Sequence, residues 1–96
     1  MSMRKLLYFY APWCSPCKFY DREIIAPLEQ RVGTHRITRI NVQDEPFNAD
    51  KYGVDKLPAI VILDNEKIVM RSTGGYTTDQ LEDLIKGVED RGYINN

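Results

Sequence analysis

Long apolar runs and an excess of charge of one sign are both missing from this chain of 96 residues. No stretch approaches the roughly 20 apolar residues that a membrane-spanning helix needs. The short apolar run near the N-terminus has no small-residue cleavage site, so it does not resemble a signal peptide. The 13 lysines and arginines nearly balance the 14 aspartates and glutamates, for a net charge of −1, which argues against nucleic acid or a membrane as a partner. We therefore expect one small domain spanning residues 1–96.

Cysteine and histidine are also scarce, since the chain has two cysteines, Cys14 and Cys17, and one histidine, His35. With no further cysteine there is no separate structural disulfide, which is typical of proteins in the reducing cytoplasm. A structural zinc site uses four ligands, and His35 is expected far from the cysteines, in a turn between a helix and a strand. We therefore expect a cytoplasmic protein without a bound metal.

What the chain does have is a cysteine pair in the segment Trp13-Cys14-Ser15-Pro16-Cys17, between an apolar run and a helical pattern. Two intervening residues let the second sulfur reach the first within one helical turn, so that a disulfide can open and close without moving the backbone. At a helix N-terminus, free N–H groups and the helix dipole lower the pKa of a cysteine and favour its reactive thiolate. The pattern predicts thiol–disulfide exchange. A structural disulfide, half of a zinc site and two inert core thiols are the alternatives.

Hydrophobic periodicity predicts seven elements in the order βαβαββα. The predicted strands are Leu6–Tyr10, Arg36–Val42, Ala59–Leu63 and Lys67–Arg71, and the predicted helices run from about Cys14 to Gly33, from Phe47 to Tyr52 and from Thr77 onward. A parallel β-α-β unit followed by an antiparallel hairpin and a covering helix makes an α/β fold. We expect a four-stranded mixed sheet sandwiched by helices.

Finer patterns predict where these elements are buried. The continuous apolar run Leu6–Tyr10 is typical of a central strand covered on both faces, whereas the alternation in Arg36–Val42 predicts one face in the core. Pro27 lies inside the first helix and predicts a kink there. Thr77 and Gln80 have the spacing of a capping box. The last helix then has one apolar face, formed by Leu81, Leu84, Ile85 and Val88.

Three motifs, which follow one another along nearly the whole chain, resemble those of the thioredoxin family. Ala11–Lys18 is similar to the family's active-site stretch, with Ser15 where glycine is usual. Lys51–Val54 followed by Leu57–Ala59 resembles a second signature, which ends in a cis-proline facing the redox pair. Gly74 falls where the family has a glycine after the final strand. The resemblance implies a minimal form of the thioredoxin fold, in which the central strand comes first.

The resemblance also implies a protein disulfide reductase in which Cys14 is the attacking thiolate and Cys17, one turn into the helix, is the resolving thiol. It implies no cofactor beyond this redox-active disulfide. The implied partners are substrate protein disulfides and a reductant, either of the thioredoxin-reductase type or glutathione. The residues implied at the substrate-binding surface are Trp13, Pro16, Leu57, Pro58, Gly74 and Gly75. For Trp13 the alternative is a packing role, and for Pro58 and the two glycines it is a plain turn.

Departures from the family pattern bear on mechanism and on the alternative functions. Tyr8 stands where thioredoxins carry a buried aspartate that helps to move the proton of the second cysteine, and we expect Tyr8 to be a core residue whose hydroxyl bonds near Cys17. Arg39 stands near the place of the lysine that accompanies this aspartate. Gly74-Gly75-Tyr76 followed by Asp79 resembles the glutathione-binding turn of glutaredoxins. A glutaredoxin-like, glutathione-dependent electron donor is therefore the alternative function, and a binding module without turnover is a third.

Overall fold

The computed structural model describes residues 4–87, which form four strands and four α-helices. The elements in chain order are β1 Arg4–Tyr10, α1 Ser15–Tyr20, a π-helical turn Asp21–Ile25, α2 Ala26–Val32, a 3₁₀ turn Thr34–Arg36, β2 Ile37–Asn41, α3 Pro46–Lys51, β3 Ala59–Asp64, β4 Lys67–Ser72 and α4 Thr78–Lys86. The predicted apolar position Val88 lies outside the described residues. Within residues 4–87, none of the helices has both the length and the apolar character required to cross a bilayer.

The strands form one mixed sheet in the order β2-β1-β3-β4. β1 pairs with β2 in parallel, with Leu6 opposite Ile37, and with β3 in antiparallel, with Leu6 opposite Ile62. β3 and β4 form the antiparallel hairpin, whose register shifts between Ile62 and Leu63. The predicted βαβαββα order and the four-stranded mixed sheet are thereby confirmed.

The central strand β1 is buried on both faces, as its continuous apolar run predicts. Because side chains alternate along a strand, Leu6 and Tyr8 belong to one core cluster, together with residues of α2 and α4. Leu7 and Phe9 belong to a second cluster on the opposite face. The sheet therefore lies between two apolar layers. The segment that carries the cysteines begins directly after the end of β1.

The prediction that β2 has a single core face is wrong. Ile37 lies in the first cluster and Ile40 in the second, and both are buried. The two residues are three positions apart, so they point to opposite faces of the strand. β2 is an edge strand that contributes one buried isoleucine to each side of the sheet.

The long first helix is interrupted just before Pro27. A π-helical turn precedes α2, and within it the Ala26 N–H bonds to the Asp21 carbonyl, five residues back. In a regular α-helix the Pro27 ring would clash with the carbonyl of Glu23. The wider π turn relieves this clash, and its extra residue rotates the apolar face. As a result Ile25 is the fully buried residue of this turn.

The helix α4 is tied at its N-terminus by two sets of hydrogen bonds. The predicted capping box is confirmed, because the Thr77 hydroxyl accepts from the Gln80 N–H at 3.2 Å while the Gln80 side chain accepts from the Thr77 N–H at 3.0 Å. The Thr78 hydroxyl donates to the Ile24 carbonyl at 3.0 Å. The second bond joins α4 to the π turn, and so holds the helix that begins at the cysteines against the last helix of the domain.

Candidate active site

The two cysteines form a disulfide at the start of α1, with their Cα atoms 5.3 Å apart. Cys14 is the N-cap residue of this helix, and its Sγ accepts a hydrogen bond from the Cys17 N–H at 3.2 Å. Cys17 is 2% exposed and Cys14 is 6% exposed. The expected order of burial is therefore found, although both residues are largely covered. The Cys14 sulfur already occupies the position in which a helix N-terminus favours negative charge.

Tyr8 lies beneath the second cysteine. Its side chain is fully buried, and its hydroxyl donates to the Cys17 carbonyl at 2.5 Å. Its ring stacks on Tyr10 and Tyr20 at centroid distances of 5.8 Å and 6.2 Å. Burial, with a smaller contribution from the nearby Asp21 carboxylate, raises the pKa of Tyr8 well above its ordinary value. Tyr8 is thus a neutral hydrogen-bond donor in the core, as expected for this position.

An ion-pair network lies beside Tyr8 and joins three elements. The Arg39 guanidinium of β2 donates to both carboxylate oxygens of Asp21 at 2.9 Å and to Oε1 of Glu29, also at 2.9 Å. The hydrogen bonds that Arg39 donates to Asp21, more than any other cause, raise the pKa of Arg39 above its already high value. The sequence reasoning singled out Arg39 but missed Asp21. The available signal was its spacing, because a residue four positions after Cys17 shares its helix face.

A cavity of about 140 Å³ opens next to the second cysteine. It runs between the end of β1, the loop that follows and the first helix. The lining residues are Tyr8, Tyr10, Ala11, Pro12, Cys17, Lys18 and Asp21. The cavity connects the buried thiol position to a carboxylate whose side chain is 30% exposed.

A groove of about 240 Å³ has Trp13, the residue before Cys14, in its wall. Trp13 and Leu57, two of the predicted surface residues, line it, and Trp13 is 72% exposed. The remaining lining residues are Val42, Ala49, Val54 and Asp55. The Leu57–Pro58 peptide bond is cis, as the resemblance implies. The lining of the groove is mostly apolar.

The other predicted surface residues are more scattered. Pro16 is exposed in the first turn of α1. Gly74 and Gly75 lie in the connection between β4 and α4 with φ angles of 103° and 87°, a conformation that favours glycine. These two glycines do not line the groove that holds Trp13 and Leu57. This geometry accounts for them as turn residues.

The surroundings of Asp79 and His35 bear on the two alternatives of glutathione binding and metal binding. Asp79, the acidic residue of the glutaredoxin-like turn, pairs with Arg31, which also bonds to Glu82 at 3.1 Å. His35 is exposed in the 3₁₀ turn before β2. Among residues 4–87, no three histidine, cysteine, aspartate or glutamate side chains come together in a way that could hold a metal ion.

Comparison with known proteins agrees with this geometry. The family model described as Thioredoxin matches residues 2–87. The thioredoxin of Chlamydia caviae is 35% identical over 80 residues, which cover 83% of this chain and 78% of the relative. The thioredoxin of Bacillus subtilis is 33% identical over 78 residues, which cover 80% and 74%.

Solved structures of thioredoxins are similar in fold. Thioredoxin-2 of the malaria parasite superimposes with a TM-score of 0.78 and 26% identity over 90% of this chain and 84% of that chain. A thioredoxin from Halobacterium salinarum gives a TM-score of 0.72 and 27% identity over 90% and 74%. These relatives do not favour the glutaredoxin-like alternative, and the family implies protein disulfide substrates and a reductase. With its Cys14–Cys17 disulfide, the chain therefore belongs to the thioredoxin family and is a thiol–disulfide oxidoreductase.

Proposed function

We propose that this protein reduces disulfides of other proteins, with Cys14 as the attacking residue and Cys17 as the resolving residue. The observation that carries the proposal is the disulfide at the start of α1, in which Cys14 is the N-cap and Cys17 lies inside the first turn. The more exposed sulfur is the one that a substrate can reach. The less exposed sulfur is close enough to displace it.

The proposed reaction transfers two electrons in two exchange steps. The Cys14 thiolate attacks one sulfur of the substrate disulfide, and the other substrate sulfur leaves as a thiolate that takes a proton from water. The Cys17 thiolate then attacks the Cys14 sulfur of the mixed disulfide and releases the second substrate thiolate. The substrate gains two thiols, and the protein is left with the Cys14–Cys17 disulfide.

Local hydrogen bonding supports the assignment of Cys14 as the nucleophile. Its sulfur accepts the Cys17 N–H at 3.2 Å, and a hydrogen bond to a charged acceptor is stronger than one to a neutral acceptor. The same contact therefore favours the thiolate over the thiol. Since the thiolate is the reactive form, this environment supports attack by Cys14 at neutral pH.

The groove beside the pair is the proposed site for an extended segment of the substrate. Trp13 and Leu57 would supply apolar contacts on either side of the target disulfide. Pro58 has no N–H of its own, which leaves the adjoining backbone accessible to a passing chain. Pro16, Gly74 and Gly75 complete the proposed binding surface.

Trapping of the mixed disulfide tests the order of attack. Cys17→Ser should accumulate a covalent adduct with a peptide disulfide, and the adduct should map to Cys14 by mass spectrometry. Cys14→Ser should form no such adduct, and neither variant should reduce insulin at the wild-type rate. An adduct on Cys17 as the first product would refute the assignment. Insulin reduction that is equally slow in wild type and both variants would instead indicate a binding module without turnover.

The setting of the protein is part of the same proposal. We propose a single domain over residues 1–96, in the cytoplasm, that carries electrons on its cysteines alone and binds neither nucleic acid nor membrane. We further propose recycling by a reductase of the thioredoxin-reductase type, because Asp79 of the glutaredoxin-like turn is engaged by Arg31. Reduction of the oxidised protein by thioredoxin reductase, but not by glutathione at cellular concentration, is the expected result. Rapid reduction by glutathione would contradict this choice of reductant.

A further inference from the structure

The resolving step raises a question about a proton. Cys17 has to become a thiolate before it can attack, and its residue is 2% exposed, so solvent has little direct access to the thiol. A neighbouring group that accepts the proton would therefore assist this step. The cavity of about 140 Å³ beside Cys17 contains the candidates.

Three polar neighbours in this cavity are unsuited to accept the proton. Tyr8 uses its own hydroxyl hydrogen to bond the Cys17 carbonyl at 2.5 Å, and an un-ionised phenol is a poor base. The ammonium group of a lysine such as Lys18 has three hydrogen-bond donors and no acceptor lone pair. Tyr10, the third polar side chain, is also a phenol. Of the residues that the structure describes, Asp21 is the only carboxylate that lines this cavity.

The position of Asp21 relative to Cys17 is fixed by the helix. The Asp21 N–H donates to the Cys17 carbonyl, one helical turn earlier. Residues four apart in a helix have neighbouring side chains, with Cβ atoms about 5–6 Å apart. The cavity between them is large enough to admit water, which occupies about 30 Å³ per molecule in the liquid. A proton can thus pass from the thiol to the carboxylate directly or through one water molecule.

Arg39 holds this carboxylate in place and leaves acceptor positions on its oxygens free. Its Nε and Nη2 atoms each bond one Asp21 oxygen at 2.9 Å. A carboxylate oxygen has about two acceptor positions, so each oxygen keeps one position for a further proton donor. The Asp21 side chain is also 30% exposed, which gives the accepted proton a way out to solvent.

We propose that Asp21 is the proton acceptor for Cys17 in the resolving step and that Arg39 is the residue that positions it. The Cys17 thiol gives its proton to the Asp21 carboxylate, and the thiolate so formed attacks the Cys14 sulfur of the mixed disulfide. The Cys14–Cys17 bond forms, the substrate sulfur leaves with the electron pair of the broken bond, and Asp21 then releases the proton to water. The inference rests on the proposed order of attack, in which Cys17 resolves.

A symmetrical nitrobenzoate disulfide separates the two steps, because each step releases one coloured thiolate. In stopped-flow mixing with the reduced protein, the first release reports attack by Cys14 and the second reports resolution by Cys17. Asp21→Asn should leave the first release unchanged and slow the second by about 10²-fold at pH 7, the low end of what general base catalysis contributes. Glu29→Gln is the matched control, since it removes a negative charge from the same guanidinium but lies outside the cavity. It should keep the wild-type rate of the second release, and Asp21→Glu should restore part of it.

The pH profile distinguishes a proton acceptor from a residue that merely holds the structure. The charged and titratable groups around the site are Tyr8 and Tyr10 of β1, Lys18 and Tyr20 of α1, Asp21 of the π turn, Glu29 of α2 and Arg39 of β2. Removing the Asp21 charge makes ionisation of Cys17 easier, so a purely electrostatic role would speed the second release. A proton-transfer role slows it at pH 7, and the deficit disappears as rising pH ionises Cys17 directly.

The outcomes of this experiment separate the role of Asp21 from the proposed dithiol reaction. A second release in Asp21→Asn that is as fast as wild type, or slower by the same factor at every pH, would overturn the role of Asp21 and leave the proposed function standing. A wild-type protein that releases no second thiolate would instead overturn the proposed dithiol reaction. A deficit at pH 7 that closes at high pH, absent from Glu29→Gln, supports the inference.

Discussion

Two phenols, the buried Tyr8 and the partly buried Tyr20, tie the cysteine-bearing helix to the rest of the molecule. Tyr8 donates to the Cys17 carbonyl at 2.5 Å, and Tyr20 donates to the Tyr76 carbonyl at 2.9 Å. The first bond links β1 to α1, and the second links α1 to the segment before α4. Burial raises the pKa of both hydroxyls. Each phenol therefore stays neutral in the folded state at a pH where a solvated tyrosine would ionise.

Alkaline pH should destabilise the fold through these residues. Tyrosine in the unfolded chain ionises near pH 10, whereas Tyr8 in the fold remains protonated. Its stabilising contribution is therefore complete below about pH 10 and is lost as the pH rises towards the folded pKa, by about 1.4 kcal/mol per pH unit for one such group. Tyr8→Phe should cost about 1 kcal/mol at pH 7, where it removes one buried hydrogen bond, but should lose stability less steeply above pH 10. Urea unfolding from pH 7 to pH 11 measures both effects.

Tyr20→Phe provides a second test of the same cause, because its pKa is raised in the same direction. It should also flatten the alkaline loss of stability. Parallel curves for wild type and Tyr8→Phe above pH 10 would show that the buried phenol is not the source of the alkaline sensitivity.

At the scale of elements, helix ends and interruptions decide how the site is held. The π turn Asp21–Ile25 directs Asp21 to the cavity and Ile25 to the core. Thr78 fastens this turn to α4 through the Ile24 carbonyl. The N-terminus of α4 is in turn fixed by its capping box, so the cap of one helix supports the packing of another.

Removal of the cap should destabilise the whole domain. In Thr77→Ala the Gln80 N–H loses its side-chain acceptor, and a lost N-cap typically costs about 1 kcal/mol. Thr73→Ala, an exposed threonine before the same helix, is the control and should stay within about 0.5 kcal/mol of wild type. Urea denaturation gives both values. Equal effects of the two substitutions would argue against the cap as the cause.

Most element positions followed from the sequence, because their signals are local. Turn residues and β-rich runs placed the hairpin strands within a residue or so of β3 and β4, and the Thr77–Gln80 spacing identified the cap. The exception was the first helix. Regular helical spacing predicts Ile24 on the apolar face, and Ile24 does pack, partly buried, against the core, but the π turn also brings Ile25 to full burial. No local pattern marks a π turn, since it depends on how Pro27 and the preceding carbonyls fit together in three dimensions.

Part of the candidate site could likewise be predicted from the sequence, and part could not. The cysteine pair, the exposed Trp13 and the cis Leu57–Pro58 bond carry motifs that can be read along the chain. The Arg39 network carries none, because it joins residues 18 and 10 positions apart through side chains on three elements. Only the assembled fold brings these charges to the cavity beside Cys17.

At the scale of the whole molecule, the sheet separates two apolar cores. Ile85 of α4 belongs to the cluster on one side, with the cysteines, and Ile40 of β2 belongs to the cluster on the other. Both side chains are buried, at 0% and 5% exposure. The two cores are joined through the strands between them, so the domain should unfold as one unit although its apolar contacts fall into two groups.

Substitutions in different cores should act independently. Ile85→Val and Ile40→Val should each cost about 1 kcal/mol, and the double variant should lose the sum within about 0.5 kcal/mol. Ile60→Val combined with Ile85→Val is the comparison, because both residues lie in the first cluster. Its interaction energy, measured by a double-mutant cycle in urea, should exceed that of the pair across the sheet. A larger coupling across the sheet than within the cluster would contradict the division into two cores.

The exposure of Trp13 also has a spectroscopic consequence. It is the chain's single tryptophan, and at 72% exposure its indole is bathed in water even in the native state. Its emission wavelength is therefore close to that of the unfolded chain, so unfolding of the sheet should change this wavelength very little. Trp13 is the neighbour in sequence of Cys14, whose sulfur changes oxidation state. The intensity of the tryptophan fluorescence should therefore report whether the cysteine pair is oxidised or reduced. Unfolding of the core should be followed by the tyrosine signal.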